Sequence, residues 1–170
     1  MKISLAIVAL VTCSVFNPMV ASAQDDGAKL LTVSGRITKT NTPDKKGFTF
    51  SYADLKSLNQ VTVSNTGVYA PPKSQYTGPL LRDILKTAGI APDAKEVILV
   101  GLDGYQFRVP ISDFSKWEVV AAHSQNGSRL TVETKGPLWV IYPNDKHPNE
   151  LNNHTTNVKE VWALVTIKVP

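Results

Sequence analysis

Apolar and polar residues alternate with a period of two along much of the chain. Leu31 and Val33 flank Thr32, Val61 and Val63 flank Thr62, and Tyr105, Phe107 and Val109 are separated by Gln106 and Arg108. This alternation predicts half-buried strands. Val97-Ile98-Leu99-Val100 and residues 138–142 are unbroken apolar runs and predict buried strands, and residues 161–169 predict a long closing strand. Asn126-Gly127, ahead of Leu130 and Val132, is a hairpin-turn pair. Helical spacing is rarer. Leu81, Ile84, Leu85 and Ala88 follow Thr77-Gly78-Pro79, which predicts a helix starting at that triplet and stopped by Gly89. Ser51, with Asp54 three residues on, predicts a capping box opening a short helix that carries Leu55 and Leu58. Many strands and few helices, without strict βαβ alternation, predict an α+β fold.

The N-terminus follows a different pattern. Lys2 precedes an apolar run over residues 3–15, then Phe16-Asn17-Pro18 and the small triplet Ala21-Ser22-Ala23. Residues 1–23 are therefore expected to be a cleaved signal peptide, and residues 24–170 a single periplasmic domain. The run is shorter than the roughly 20 apolar residues of a membrane span, so no membrane insertion of the mature chain is expected. A lipid-anchored form cleaved before Cys13 is disfavoured by bulky Thr12 and by the apolar Val15-Phe16 that follow.

Cys13 is the only cysteine and leaves with the signal. The 147 residues that remain have no disulfide, no thiol nucleophile and no thiolate for a metal. Charge adds little. The whole chain has 18 basic and 14 acidic residues, and loss of Lys2 lowers the net charge from +4 to +3. The lysines are scattered, which gives no nucleic-acid-binding stripe. Phosphate loops, dinucleotide fingerprints and nucleophile elbows are absent. His123, His147 and His154 are isolated, and His147 and His154, with Glu150 between them, read as ordinary loop residues.

What stands out is a set of aromatic and acceptor residues. Asp103-Gly104-Tyr105 joins two apolar strands. It is either a plain hairpin turn or a carboxylate held at a strand end, able to accept two parallel hydrogen bonds from an amidine-like edge. Trp139 and Tyr142, three apart on one strand, point to opposite faces, so one is expected in the core and the other is a candidate to face a pocket. Pro143-Asn144-Asp145 leads into a long polar loop reaching about Asn157, and Tyr69-Ala70-Pro71-Pro72 is a stiff aromatic-bearing loop.

Six segments in order resemble the molybdopterin-binding domain of sulfite-oxidase-type enzymes. They are Tyr76-Thr77-Gly78-Pro79-Leu80-Leu81-Arg82-Asp83-Ile84-Leu85, residues 97–105 ending in Asp103-Gly104-Tyr105, and Val109-Pro110-Ile111. Val119-Val120-Ala121 with Asn126-Gly127, Gly136-Pro137-Leu138-Trp139-Val140-Ile141-Tyr142-Pro143, and Lys159-Glu160-Val161-Trp162 with the final strand complete the set. The resemblance runs over residues 31–170 and implies the sulfite-oxidase fold, with mixed sheets and a few short helices. It also carries departures. The family's metal-binding cysteine falls near Val61-Thr62-Val63-Ser64-Asn65-Thr66, where there is none, and its cofactor-contacting arginine is replaced by Trp139. A histidine or lysine of relatives falls near Lys135. A hydroxyl or amide does not replace a thiolate at such a metal.

The sequence thus looks like the small stand-alone periplasmic pterin-binding members of this superfamily. That resemblance implies a non-catalytic domain whose ligand is a monapterin- or neopterin-like or molybdopterin-related pterin, with no bound metal. It implies a partner as well, the periplasmic part of a membrane-bound cyclic-di-GMP enzyme. Asp103 would accept from the ring's amino edge, Tyr69, Tyr105, Trp139 and Tyr142 would supply stacking faces or a hydroxyl, and Lys135 stands near the ligand. Two alternatives remain open: an oxidoreductase holding its cofactor through pterin and phosphate alone, with Lys135, Arg82 or Arg108 on the phosphate, or a protein-interaction module with a vestigial pocket.

Overall fold

The computed structural model describes residues 26–69 and 73–170. The expected signal peptide and Ala70-Pro71-Pro72 lie outside the described residues. No helix among the described residues is long and apolar enough to cross a membrane.

Eleven strands and five short helices are seen among these residues. Strands β1 (Lys29–Gly35), β2 (Gly47–Ser51), β5 (Glu96–Gly101), β6 (Gln106–Pro110) and β11 (Leu164–Val169) form one sheet in the order β2-β1-β11-β5-β6. β1 and β11 run parallel and the other pairs antiparallel, so the sheet is mixed. Strands β3 (Gln60–Asn65), β4 (Ser74–Pro79), β8 (Ser124–Gln125) and β9 (Ser128–Arg129) form a second sheet. β7 (Val120–Ala122) and β10 (Trp139–Ile141) pair between the two.

That small ladder explains the two cores. Side chains alternate across a strand. Ala121, Val140 and Tyr142 therefore enter the main core, with Val33, Leu99 and Ile167 of the large sheet and with Leu81, Ile84 and Leu85. Val120, Ala122, Trp139 and Ile141 face the other way, onto Val63 and Tyr76 of the second sheet. Trp139 and Tyr142 do point to opposite faces, but both are fully buried.

Helix α1 (Tyr52–Ser57) opens with the expected capping box, Ser51 and Asp54 each accepting from the other's backbone. Helix α2 (Leu81–Ala88) buries Leu81, Ile84, Leu85 and Ala88 and ends at Gly89 (φ 68°), as its spacing predicts. Its start differs. Thr77-Gly78-Pro79 is not a helix start but the end of β4, where Gly78 pairs with Val61 and Pro79 with Gln60. A Cβ on Gly78 would lie 2.1 Å from the Ala121 carbonyl oxygen, so the glycine serves a strand-to-strand approach. Helix α3 is Ile111–Lys116.

Two more boundaries move. Asn126-Gly127 forms the hairpin (φ 50° and 81°), but its strands end at Arg129, and Val132 lies in an exposed 3-10 turn. The closing strand begins at Leu164, because residues 161–163 form an irregular turn with Ala163 at φ 47°. The polar loop after Pro143 folds two helical turns, α4 (Pro148–Leu151) and α5 (His154–Asn157), the second capped by the Asn153 side chain.

Candidate functional site

The turn before β11, the β5–β6 hairpin and the loop after β3 meet around a cavity of about 300 Å³. It is lined by Tyr69, Asp103, Tyr105, Asn157, Val158, Glu160, Val161 and Trp162. Its size is at the small end of the ligand-pocket range. Tyr69 and Trp162 meet edge to face, with ring centroids 5.5 Å apart at 79°. Tyr105 donates its hydroxyl to the Val158 carbonyl at 3.0 Å, which fixes the ring beside the loop after β10. Burial, and then Tyr69, push the Tyr105 phenol above its ordinary pKa.

Asp103 sits in the turn between β5 and β6, as one of its two sequence readings has it. Its Oδ1 accepts from the Tyr105 backbone N–H at 2.9 Å, a local turn bond, and the residue lines the cavity from an exposed position. It is a rim group, not a buried carboxylate.

The buried carboxylate is Glu160, which sequence reasoning missed. Oε1 accepts from Asn65 Nδ2 at 2.6 Å and from the Tyr142 backbone N–H at 3.1 Å. No described residue bonds Oε2. Only 3% of the residue is exposed, and burial pushes its pKa up to about 7 against the pull of Tyr142, Asn65 and Lys135. Lys159, one position earlier, turns the opposite way and donates to Asp113 at 2.8 Å.

Lys135 closes one side. Its ammonium donates to the Tyr69 carbonyl and sits 4.2 Å from the Trp139 ring centroid, with Trp162 and Tyr69 at 5.6 and 5.8 Å. Desolvation lowers its pKa, and Glu160 partly restores it. This cation–π box braces the Tyr69 loop against the Trp139 strand.

Of the six sequence candidates, then, Tyr69, Asp103 and Tyr105 line the cavity and Lys135 adjoins it. Trp139 lies beneath Lys135, edging a shallower depression with Tyr69. Tyr142 is not at this site: its hydroxyl donates to Asp113 at 2.9 Å on the far side of the small ladder. Only its backbone N–H serves the site, through Glu160. Trp162 and Asn157 were also missed. Arg82 donates to the Phe114 carbonyl and Arg108 pairs with Glu96, and neither lines the cavity.

This fold, with an aromatic cavity at the ends of its strands, is that of a pterin-cofactor domain. A family model, the oxidoreductase molybdopterin binding domain, matches residues 31–145. The chain belongs to that family. Among solved structures it is similar to the sulfane dehydrogenase SoxCD from Paracoccus pantotrophus, with a TM-score of 0.60 and 17% identity. The match covers 82% of this chain and 37% of that one, and at this identity the likeness is one of fold. No curated protein matches.

The donor set does not suit the metal half of a molybdenum cofactor. In the segment around Ser64-Asn65-Thr66, the Ser64 and Thr66 hydroxyls donate to Asp145, and the Asn65 amide is held by Glu160. These are hard oxygen and amide groups already engaged, not the soft thiolate such a metal takes. Among the described residues, no group of three or more His, Cys, Asp or Glu is placed to hold a metal ion. The pterin half does fit: aromatic walls flank a slot with carboxylates at rim and floor.

Proposed function

We propose that this protein is a periplasmic pterin-binding protein without catalysis, and that it passes the ligand's presence to the periplasmic part of a membrane-bound signalling protein. One observation carries the binding step. Tyr69, Tyr105 and Trp162 wall a cavity whose polar ends are Asp103 and Glu160, which matches a flat, stackable ring with donors on one edge. Family membership supports a pterin over other flat rings. The absence of a soft donor on the described segment supports binding over redox turnover.

The partner step is supported by the surface. Leu102, Val132, Trp162, Tyr69, Tyr105 and Val68 are exposed large apolar side chains, and Tyr69, Tyr105 and Trp162 line the cavity. Val132 joins Leu102 and Trp162 in an adjoining depression. An apolar rim around a ligand mouth suits a partner that touches both protein and ligand. The cyclic-di-GMP identity of that partner rests on the family resemblance alone.

The test is a fluorescence titration of the mature protein with neopterin, in oxidised and tetrahydro forms, alongside extraction of small molecules from protein purified out of the periplasm. Saturable one-to-one binding with quenching, and a pterin in the extract, are expected. No binding of either form, with no pterin extracted, overturns the reading. Stoichiometric molybdenum together with substrate turnover would turn it into an oxidoreductase.

A further inference from the structure

The floor of the cavity presents acceptors, and they are not all used. Glu160 Oε1 is saturated by Asn65 and Tyr142, whereas Oε2 has no partner among the described residues, and Glu160 lines the cavity. One turn away, Asn157 also lines the cavity. Its Oδ1 is buried beside Gly67 without a partner among the described residues, in a residue only 7% exposed. The backbone holds the two together, since the Glu160 N–H donates to the Asn157 carbonyl at 3.2 Å. Buried acceptors without donors are costly and are normally satisfied. The neighbouring cation does not satisfy them: the Lys135 ammonium is held by the Tyr69 carbonyl and the Trp139 face.

We propose that Glu160, with Asn157 beside it, is the specificity-determining acceptor of this cavity, reading adjacent N–H donors on the amino edge of a bound 2-amino-4-oxo pyrimidine-fused ring. The inference rests on the pterin-binding reading and deepens it by placing the amino edge at the floor and the ring's other end towards the Asp103 rim. A 2-amino group and its neighbouring ring N–H form a two-donor edge, to which Glu160 offers Oε2 as a charged acceptor, Oε1 being already taken. An analogue with oxygen in place of the 2-amino group puts an acceptor against an acceptor. Buried groups left in that state give strong discrimination.

The experiment compares two probes, pterin and lumazine, its 2,4-dioxo analogue, on wild type, Glu160→Gln and Asn157→Ala. Melting curves run alongside each titration. Wild type is expected to prefer pterin by about 30-fold or more, the equivalent of one well-placed buried hydrogen-bond pair. Glu160→Gln keeps the shape but turns one floor atom into a donor, so the preference should collapse towards unity, mostly through lost pterin affinity. Asn157→Ala breaks no bond seen in the structure and should fold; a several-fold drop in the same ratio is expected. Wild type binding neither probe overturns the pterin reading itself. Equal binding of both probes by wild type, or an unchanged ratio in a folded Glu160→Gln protein, overturns the inference while leaving that reading standing. If Glu160→Gln does not fold, an unchanged ratio in folded Asn157→Ala overturns it.

Discussion

The Asn65 carboxamide donates a 2.6 Å hydrogen bond to Glu160 Oε1 across 95 residues of sequence. It ties the end of β3 to the turn that enters the last strand. The same Asn65 donates to the Tyr142 carbonyl, and its Oδ1 accepts from the Gly67 N–H at 2.5 Å. Three backbone segments at the cavity thus depend on one amide.

Asn65→Ala should therefore cost stability, by about 2 kcal/mol, through the loss of a charge-assisted bond and the stranding of buried partners. Denaturant unfolding measures it. Combined with Glu160→Gln, which keeps the Oε1 acceptor but removes its charge, the two losses should not add, since both weaken the same bond. Strict additivity in that double-mutant cycle would mean the contact contributes nothing.

The pH dependence of stability should show two opposed buried groups. Glu160 is raised to about 7 from an ordinary 4.5, so its contribution is present below pH 4.5 and is lost as pH rises through about 7. His123 is buried, with Nε2 against Gln60 and Nδ1 unpartnered, and burial lowers it to about 4 from an ordinary 6.5. Its contribution is present above pH 6.5 and is lost as pH falls through about 4. Across the overlap the two slopes oppose each other. Relative to wild type, Glu160→Gln should unmask a stability that rises with pH and His123→Gln one that falls, each by roughly 2–3 kcal/mol at most. Urea titrations at half-unit pH steps check this; parallel profiles for all three proteins would contradict it.

Much of the fold was legible in the sequence because it rests on local rules. The Ser51–Asp54 capping box, the Gly89 stop, the Asn126-Gly127 hairpin and the alternation of β1, β3 and β6 all depend on residues a few positions apart. The helix start at Pro79 failed for a non-local reason: Gly78 is required by the backbone of Ala121, 43 positions away. The site was half legible. Asp103, Tyr105 and Tyr69 carry turn and loop signatures. Glu160 carries none, because a glutamate between Lys159 and Val161 in an ordinary strand faces solvent or core by parity alone. The irregular turn at residues 161–163, which brings Trp162 into the cavity, left no mark that the apolar run did not mask.

Gly78→Ala tests that non-local constraint. Its Cβ would meet the Ala121 carbonyl oxygen at 2.1 Å and the Ala122 Cα at 2.8 Å, both backbone atoms that cannot swing aside. Overpacking against fixed backbone should destabilise the domain by about 3 kcal/mol or more, at the upper end for such changes. An unfolding midpoint within error of wild type would show that β4 and β7 lie further apart.

Rim and floor make separable contributions to ligand binding, and Asp103→Asn against Trp162→Ala separates rim from wall. Asp103 is exposed, and its Oδ1 is occupied by the Tyr105 N–H. Asparagine supports the same local turn, so the hairpin should survive the change. What remains for a ligand is one solvated oxygen, and an exposed hydrogen bond of that kind is worth about 1 kcal/mol or less, roughly fivefold in affinity. Trp162 supplies a face of the slot and braces Tyr69 edge to face, so Trp162→Ala removes stacking worth about 1 kcal/mol together with the apolar contact. The loss should be tenfold or more, carried by faster dissociation. Stopped-flow fluorescence with neopterin resolves the two effects. A hundredfold loss in folded Asp103→Asn, with little change in Trp162→Ala, would mean that the ring enters with its amino edge at the rim and that the floor carboxylate meets its far end.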